Sequence, residues 1–289
     1  MRDEFGFAGY VQSDCGAVDN EVSREGWANN ATDAAARALA GGLMNSNCGG
    51  GLVDHICDAI AEGLTTEAEL EARVARSLTL LMDAGLFDPL EGQPFTRIPF
   101  ATINSEAAQA KNLEAARQGL VLLRNPAVGG GGGAAPTLPL APGLGDGALL
   151  LLGPHARTQE KLAGNYFADI GLGTCAGPAC IPTVESALNA ANGGGAAATV
   201  LEGCANATCP FVDLDAVAAA AGAPAVRAIV LAMGNDNSIE GEGHDRLDIR
   251  LPGQQKALVR AALDAAAPAA RVVLLLFNGG TIALEELAG

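Results

Sequence analysis

Residues 228–234 read AIVLAMG, an uninterrupted apolar run that predicts a strand buried on both faces. Two further runs have the same character, ALLLLGP at 148–154 and RVVLLLFNGG at 271–280. Helical patterns lie between these runs, VDLDAVAAAAG at 212–222 and GQQKALVRAALDAA at 253–266. Near-continuous apolar strands that alternate with helices predict a parallel sheet with helices on both faces.

The N-terminal part of the chain has shorter elements. FAGYVQS (7–13) predicts a strand that ends at Asp14, and residues 30–39 are Ala-rich and predict a helix. The Gly-flanked segment GGLMNSNCGGG (41–51) predicts a short buried element. Thr65 or Thr66 followed by Glu69 is a capping-box pattern, which predicts the start of a helix with apolar residues at a 3.6-residue period, namely Leu70, Val74, Leu78 and Leu81.

A Pro- and Gly-containing connector separates these elements from the rest. We expect a first domain over 1–87, a linker over 88–104 and an α/β domain over 105–289. The last of these begins with a helix over 105–119, which Ser105 caps, and VLLRN at 121–125 predicts a buried strand or a helix end.

Composition excludes several classes of function. The chain has 289 residues, of which 49% are hydrophobic and 17% charged, which is typical of a globular protein of about two domains. No apolar run is long enough to span a membrane. A net charge of −16 argues against binding to nucleic acid or to an anionic membrane surface. The three His and seven Cys match no zinc spacing, so we expect no structural metal site.

Two pairs of cysteines lie in loop sequence with five-residue separations that permit disulfides, the alternative being free and partly buried thiols: Cys175 with Cys180, and Cys204 with Cys209. Two Asn-x-Thr sequons, at Asn30 and Asn206, also favour a secreted protein, although such sequons often occur by chance.

Carboxylates follow two of the predicted strands. Asp14 comes directly after YVQS, and the segment SIEGEGHDR (238–246) holds Glu240, Glu242, His244, Asp245 and Arg246 after the strand AIVLAMG. Ligand-contacting groups gather at the carboxyl edge of α/β sheets, although an Asp in a turn or a charged loop is more often structural. The two sites together suggest a pair of carboxylates of the kind that hydrolyses glycosides. The acid of such a pair needs a raised pKa; Glu240, beside Glu242, could provide the neighbouring negative charge that raises it, and Arg246 would act in the opposite direction.

At these residues the chain resembles a known family. GFAGYVQSDCGAV (6–18) is similar to the nucleophile strand of glycoside hydrolase family 3, and LEAARQGLVLLRN (113–125), LPL (138–140), GPHA (153–156) and LAGNY (162–166) resemble the start of its second domain. GCANATC (203–209) and MGNDNSIEGEGHDRLDIRLPGQQKALV (233–259) are similar to the plant-type β-xylosidase and α-L-arabinofuranosidase branch.

The resemblance implies the C-terminal remnant of a (β/α)8-type barrel, carrying strands 7 and 8, followed by an incomplete α/β sandwich truncated at its C-terminus. It implies a retaining exo-glycosidase that hydrolyses terminal β-D-xylosyl or α-L-arabinofuranosyl residues of cell-wall polysaccharides through a covalent glycosyl-enzyme. It implies no metal and no organic cofactor. Asp14 falls on the nucleophile position, and the acid/base falls on Glu242, with Glu240 as the alternative. Asp245 and Arg246 match the motif as residues that shape the loop or contact sugar hydroxyls.

The sequence departs from the family pattern in two places, and both bear on whether the chain is active. Few residues precede GFAGYVQSD, so we expect the chain by itself to be inactive, and Asn45 stands near a position where the family usually has Asp. The alternative function is a non-catalytic carbohydrate-binding or structural remnant of such an enzyme. A nucleotide-binding module is disfavoured, because no lysine and no helix start directly follow the five glycines at 129–133. The parent protein is expected to be extracellular or in the cell wall, with an oligosaccharide or polysaccharide as substrate.

Overall fold

The computed structural model describes residues 2–46, 50–128, 135–164 and 180–284. The chain forms two compact units, Met1–Ser105 and Glu106–Gly289. In the first unit the described elements are α1 (Arg2–Phe5), β1 (Gln12–Ser13), α2 (Ala17–Ser23), α3 (Ala31–Ala40), β2 (Asn45–Ser46), α4 (Ile56–Ala61) and α5 (Glu67–Asp83). In the second they are α6 (Glu106–Gly119), β3 (Ala127–Val128), β4 (Ala135–Pro136), β5 (Leu149–Leu152), α7 (Val184–Ala191), β6 (Thr199–Leu201), α8 (Leu214–Ala221), β7 (Ala228–Gly234), α9 (Gln255–Ala265) and β8 (Arg271–Phe277).

A four-stranded sheet organises the second unit. Its strand order is β6-β5-β7-β8, and each neighbouring pair is parallel. The chain leaves β5 toward β6 on one side and then crosses to β7 on the other. The carboxyl ends of β5 and β7 therefore form the point at which strand order reverses, which is where open α/β sheets bind ligands. The prediction of a parallel α/β sheet is confirmed.

Helices cover both faces of this sheet, as the apolar runs predict. Alternate residues of β5 point to opposite sides because successive side chains of a strand do so. Leu150 and Leu152 pack with α8 and α9 in one core, whereas Leu149 and Leu151 pack with α7 in the other. All seven residues of β7 are buried, so this strand is the centre of the unit.

The first unit has a smaller core around α3, whose inward face is formed by Ala34, Ala35 and Leu39. β1 and β2 pair in parallel, with Ser13 opposite Ser46. The capping pattern before α5 is confirmed: the Thr66 side chain accepts a hydrogen bond from the Glu69 N–H at 3.2 Å. None of the residues of α5 is buried, and Val74 is 47% exposed.

Two local predictions are wrong or only partly right. VLLRN (121–125) is neither a strand nor buried; it is irregular, and Val121 is 75% exposed, because an apolar run becomes a strand only where another strand pairs with it. The predicted strand 7–13 is reduced to Gln12–Ser13. The 3-10 turns Leu90–Gly92, Pro94–Arg97 and Phe100–Thr102 lie in the first unit.

The structure joins Cys204 and Cys209 in a disulfide. Cys180 is also disulfide-bonded, while Cys175, with which its pairing is expected, lies outside the described residues. Cys57 is an exposed free thiol. Among the residues described, no helix combines the length and apolar character needed to cross a membrane.

Candidate active site

A cavity of about 600 Å³ opens at the carboxyl edge of the sheet in the second unit. Its walls come from the segments that follow three strands: His155 and Lys161–Gly164 after β5, Asn235–Asn237 and Glu240 after β7, and Leu276–Gly280 at the end of β8. The lining combines carboxylates, amides and one lysine over an apolar floor. Such a surface suits an uncharged ligand with many hydroxyl groups.

Glycines let the chain turn closely over the strand ends. Gly153, after β5, has φ +109°, and a Cβ there would lie 2.3 Å from the Ala232 carbonyl oxygen. Gly234, the last residue of β7, has φ +138°, and a Cβ there would lie 1.9 Å from the Phe277 carbonyl oxygen. A side chain at either position would collide with a neighbouring strand, so the positions of the cavity-lining loops depend on these glycines.

Gln255, the first residue of α9, holds the start of the loop that follows β7. Its side chain is fully buried. The Oε1 atom accepts a hydrogen bond from the Gly234 N–H at 2.8 Å, and Nε2 donates to the Gly234 carbonyl at 2.7 Å and to the Ala207 carbonyl at 2.7 Å. Because Gly234 directly precedes the carboxylate-bearing loop, Gln255 anchors that loop to the helix.

Glu240 lies in the cavity wall and is ion-paired. Its Oε2 atom is 2.8 Å from Arg246 Nε and 3.4 Å from Asn235 Nδ2. The Arg246 side chain is only 8% exposed, and it also donates to the Thr281 carbonyl. Gly280 makes room for the pair, since a Cβ there would lie 2.7 Å from Glu240 Oε2. The arrangement fixes one carboxyl oxygen and leaves the group 35% exposed at the cavity.

Glu242 occupies a different position two residues later. Gly241 and His244 exchange two backbone hydrogen bonds, at 2.9 and 3.0 Å, and so close a tight turn with Glu242 and Gly243 at its tip. Glu242 is exposed and is not among the cavity-lining residues. Asp245 is exposed as well, whereas Arg246 faces Glu240.

His155, which stands in the GPHA segment (153–156), lines the cavity, and no sequence feature marked it as a functional residue. It is 2% exposed, and its ring lies against Phe277 with ring centroids 5.3 Å apart. Burial lowers the pKa of the His155 imidazole below its usual value, although the nearby Asp236 carboxylate and the Gly234 backbone act in the opposite direction. Neither ring nitrogen has a well-formed hydrogen bond to the described residues. The imidazole is therefore neutral at pH 7.

Asp14 lies in the first unit, directly after β1. It is exposed, and its Oδ1 atom accepts a hydrogen bond from the Cys15 N–H at 2.7 Å. Cys15 is disulfide-bonded, so the residue that follows Asp14 is tied covalently to another part of the chain. Because β1 and β2 are parallel, Asp14 stands at the carboxyl edge of that strand pair.

Within the described ranges, no group of three or more His, Cys, Asp or Glu side chains is arranged to hold a metal ion. The polar groups that line the cavity of the second unit are carboxylates, amides, a lysine and an imidazole.

Known proteins with the same architecture identify the family. The model of the glycosyl hydrolase family 3 C-terminal domain matches residues 120–288. Beta-D-xylosidase 3 of Arabidopsis thaliana is 33% identical over 285 residues, which are 97% of this chain and 33% of the relative. The probable exo-1,4-beta-xylosidase xlnD of Neosartorya fischeri is 33% identical over 273 residues, covering 94% of this chain and 32% of the relative. The chain thus spans about a third of the length of these relatives.

Solved structures agree. A GH3 exo-beta-xylosidase (XlnD), in complex with a xylobiose aziridine activity-based probe, superposes on 99% of this chain and 34% of its own with a TM-score of 0.78 at 30% identity. A beta-glucosidase from Listeria innocua covers 99% of this chain and 36% of its own with a TM-score of 0.74 at 27% identity. On the strength of the matched domain, which covers more than half of the sequence, the chain belongs to glycosyl hydrolase family 3.

Proposed function

We propose that the chain carries the catalytic carboxylates of a retaining exo-glycosidase that removes terminal β-D-xylosyl or α-L-arabinofuranosyl residues from cell-wall polysaccharides outside the cell. The names of the plant and fungal relatives, and the xylobiose-derived probe bound to the solved GH3 enzyme, support the choice of substrate. The Cys204–Cys209 disulfide supports an oxidising, extracellular setting.

In the proposed reaction Asp14 is the nucleophile. A carboxylate oxygen of Asp14 forms a bond to the anomeric carbon while the glycosidic C–O bond breaks, and the leaving oxygen takes its electron pair together with a proton from the acid/base. The acid/base carboxylate then removes a proton from water. The water oxygen bonds to the anomeric carbon, and Asp14 is released with the configuration retained.

We assign the acid/base role to Glu240 in preference to Glu242, the residue that motif similarity favours. The observation that carries this choice is the position of Glu240 in the wall of the cavity at the carboxyl edge of the sheet, held by Arg246 and Asn235. Glu242 stands at the tip of the turn that Gly241 and His244 close. Arg246 then acts as a positioning residue for Glu240, and Asp245 contributes to the shape of the loop.

The test places the residues in a full-length enzyme, because this chain matches about a third of its relatives. The matching third of the Neosartorya fischeri relative is replaced by this chain, and hydrolysis of aryl β-xylosides is measured. We expect Asp14→Asn to abolish turnover and labelling by a xylose-configured aziridine. Glu240→Gln should lower the rate by at least about 100-fold, since general acid catalysis contributes about 10²–10⁴-fold.

Glu242→Gln is the matched control, and it should keep most of the activity. If Glu242→Gln loses the activity and Glu240→Gln retains it, the assignment of the two glutamates is reversed. If the graft folds, binds xylo-oligosaccharides and neither hydrolyses nor becomes labelled, the non-catalytic carbohydrate-binding alternative replaces the proposal.

A further inference from the structure

The loop after β6 has an inward and an outward side. Cys204, Ala207 and Cys209 are buried, and the two cysteines close the loop with their disulfide. Asn206 and Thr208 alternate with them and are exposed. The inward side is anchored to the start of α9, where the Gln254 N–H donates to the Cys209 carbonyl at 2.9 Å and Gln255 Nε2 donates to the Ala207 carbonyl at 2.7 Å.

The outward side is Asn206-Ala207-Thr208, an Asn-x-Thr sequon that the proposed reaction does not use. The Asn206 Oδ1 atom accepts two hydrogen bonds from Thr208, one from its hydroxyl at 2.6 Å and one from its N–H at 3.1 Å. A backbone turn supports this geometry, because the Cys209 N–H donates to the Asn206 carbonyl at 3.1 Å. In the part of the chain that the structure describes, no acceptor receives a hydrogen bond from Asn206 Nδ2. The hydroxyl and the amide of the sequon are thus already in contact, and the amide nitrogen remains available.

The sequon at Asn30 is built differently. The Asn30 side chain caps α3 by accepting a hydrogen bond from the Asp33 N–H at 2.8 Å. Its backbone is extended, with φ −157° and ψ 176°, and Thr32 is the second residue of the helix. Among the described residues, no hydrogen bond joins Thr32 to Asn30 as Thr208 is joined to Asn206, so the two sequons have different local structures.

We propose that Asn206 is an acceptor for an N-linked glycan. In the transfer, Asn206 Nδ2 forms a bond to the anomeric carbon of an oligosaccharide carried on a polyprenyl diphosphate. The bond between that carbon and the diphosphate oxygen breaks, the diphosphate leaves with the electron pair, and the amide nitrogen loses one proton to a base of the transferase. The Asn206 Oδ1 atom takes no part in the transfer, so it can keep accepting both hydrogen bonds from Thr208 in the product.

Two features of the loop suit such a modification. The anchoring groups all lie on the inward side, so a glycan on Asn206 displaces no packed side chain. The disulfide that closes the loop needs an oxidising compartment, and in eukaryotic cells the endoplasmic reticulum both forms disulfides and holds the lipid-linked donor. The site is also separate from the cavity, whose lining does not include residues of this loop.

The experiment is translation of the whole chain, preceded by a cleavable signal peptide, in a cell-free system containing microsomes. Glycan addition is read as a gel shift that endoglycosidase H reverses, so the readout does not require a stable fold. We expect Asn206→Gln to carry one glycan fewer than the wild type. Thr208→Ala should lose the same glycan, and Thr208→Ser, which keeps the hydroxyl, should retain it.

Asn30→Gln is the matched control at the other sequon, and it must leave the Asn206 glycan in place. The proposal is overturned if Asn206→Gln carries as many glycans as the wild type, including the case in which the wild type carries none. Mass spectrometry of the tryptic peptide after enzymatic release in H₂¹⁸O, which marks the modified Asn as Asp, locates the glycan independently.

Discussion

Gln255 binds Gly234 through both backbone groups, accepting from its N–H at 2.8 Å and donating to its carbonyl at 2.7 Å. A third hydrogen bond, from Gln255 to the Ala207 carbonyl, makes the same amide the junction between the disulfide loop and the loop that carries Glu240. Both polar atoms of this side chain form hydrogen bonds, so the amide can be fully buried without the free-energy cost of an unsatisfied polar group.

The first prediction concerns this junction. Gln255→Leu leaves the Gly234 and Ala207 groups buried without their partner, and each such group is destabilising by about 1–3 kcal/mol. We expect the free energy of unfolding, measured by urea denaturation, to fall by about 3 kcal/mol or more. Gln254→Leu is the control, because the Gln254 side chain, next to Gln255 in the sequence, is exposed. Its replacement should change the free energy of unfolding by about 1 kcal/mol or less. Equal losses in the two variants would contradict the role given to Gln255.

The second prediction concerns Glu240 and Arg246. Glu240→Ala removes the ion-pair partner of a guanidinium that is 8% exposed, so the arginine is left poorly compensated. Because Glu240 itself is partly exposed, water screens the loss, and we expect a decrease of about 1–2 kcal/mol in unfolding free energy. Asp245→Ala, which removes an exposed carboxylate of the same loop, should be near neutral. A Glu240→Ala variant as stable as Asp245→Ala would show that the pair does not form in solution.

The third prediction is a pH dependence that originates at His155. Its pKa is lowered in the folded protein by burial, so between that value and about 6.5 the unfolded chain binds a proton that the folded chain does not. The free energy of unfolding therefore falls as the pH drops below about 6.5, by at most about 1.4 kcal/mol per pH unit. Above about pH 6.5 the contribution of His155 no longer changes with pH. Unfolding free energies from pH 5.5 to 7.5 measure this slope.

His155→Phe should flatten the slope, because a phenyl ring can stack on Phe277 without titrating. His244→Phe, at an exposed position, is the matched variant and should keep the slope. The carboxylates near His155, Asp236 and Glu240, are present in both variants, so their contribution cancels in the comparison. An unchanged slope in His155→Phe would refute the assignment.

The fourth prediction concerns the disulfide of the second unit. Replacing Cys204 and Cys209 with Ala opens a six-residue loop, and the chain-entropy relation gives a loss of about 2 kcal/mol. Cys57→Ser, which changes an exposed free thiol, should leave the unfolding midpoint unchanged. If reducing agent lowers the midpoint of the double variant as much as that of the wild type, the effect arises from another cysteine.

Much of the fold could be inferred from local pattern. The runs that form β5, β7 and β8 are largely apolar because both faces of the sheet are covered. The cap at Thr66 can be recognised from the four residues 66–69 alone. VLLRN has equally strong apolar character, yet it remains irregular and exposed, because strand formation depends on a partner that no local pattern contains. Periodicity therefore predicts the elements better than their pairing.

The positions of the candidate site residues could not be predicted from the sequence. Glu240 and Glu242 are two residues apart in a glycine-rich segment, and only the turn closed by Gly241 and His244 separates the one in the cavity from the one at the tip. Gln255 gave no signal at all, since a glutamine at a helix start is ordinarily exposed. Its role depends on the approach of β7 and the disulfide loop, which is a property of the tertiary structure.

The junction at Gln255 has a practical consequence for anyone who produces this protein. In a bacterial cytosol, where thiols stay reduced, the loop closed by Cys204 and Cys209 would lose its covalent tie, while the sheet strands themselves contain no cysteine. Such a preparation would keep its circular dichroism spectrum and solubility. The loop that carries Glu240 would nevertheless be held less firmly, because Gln255 connects it to the disulfide loop. Export to an oxidising compartment is the condition under which a negative activity assay becomes informative.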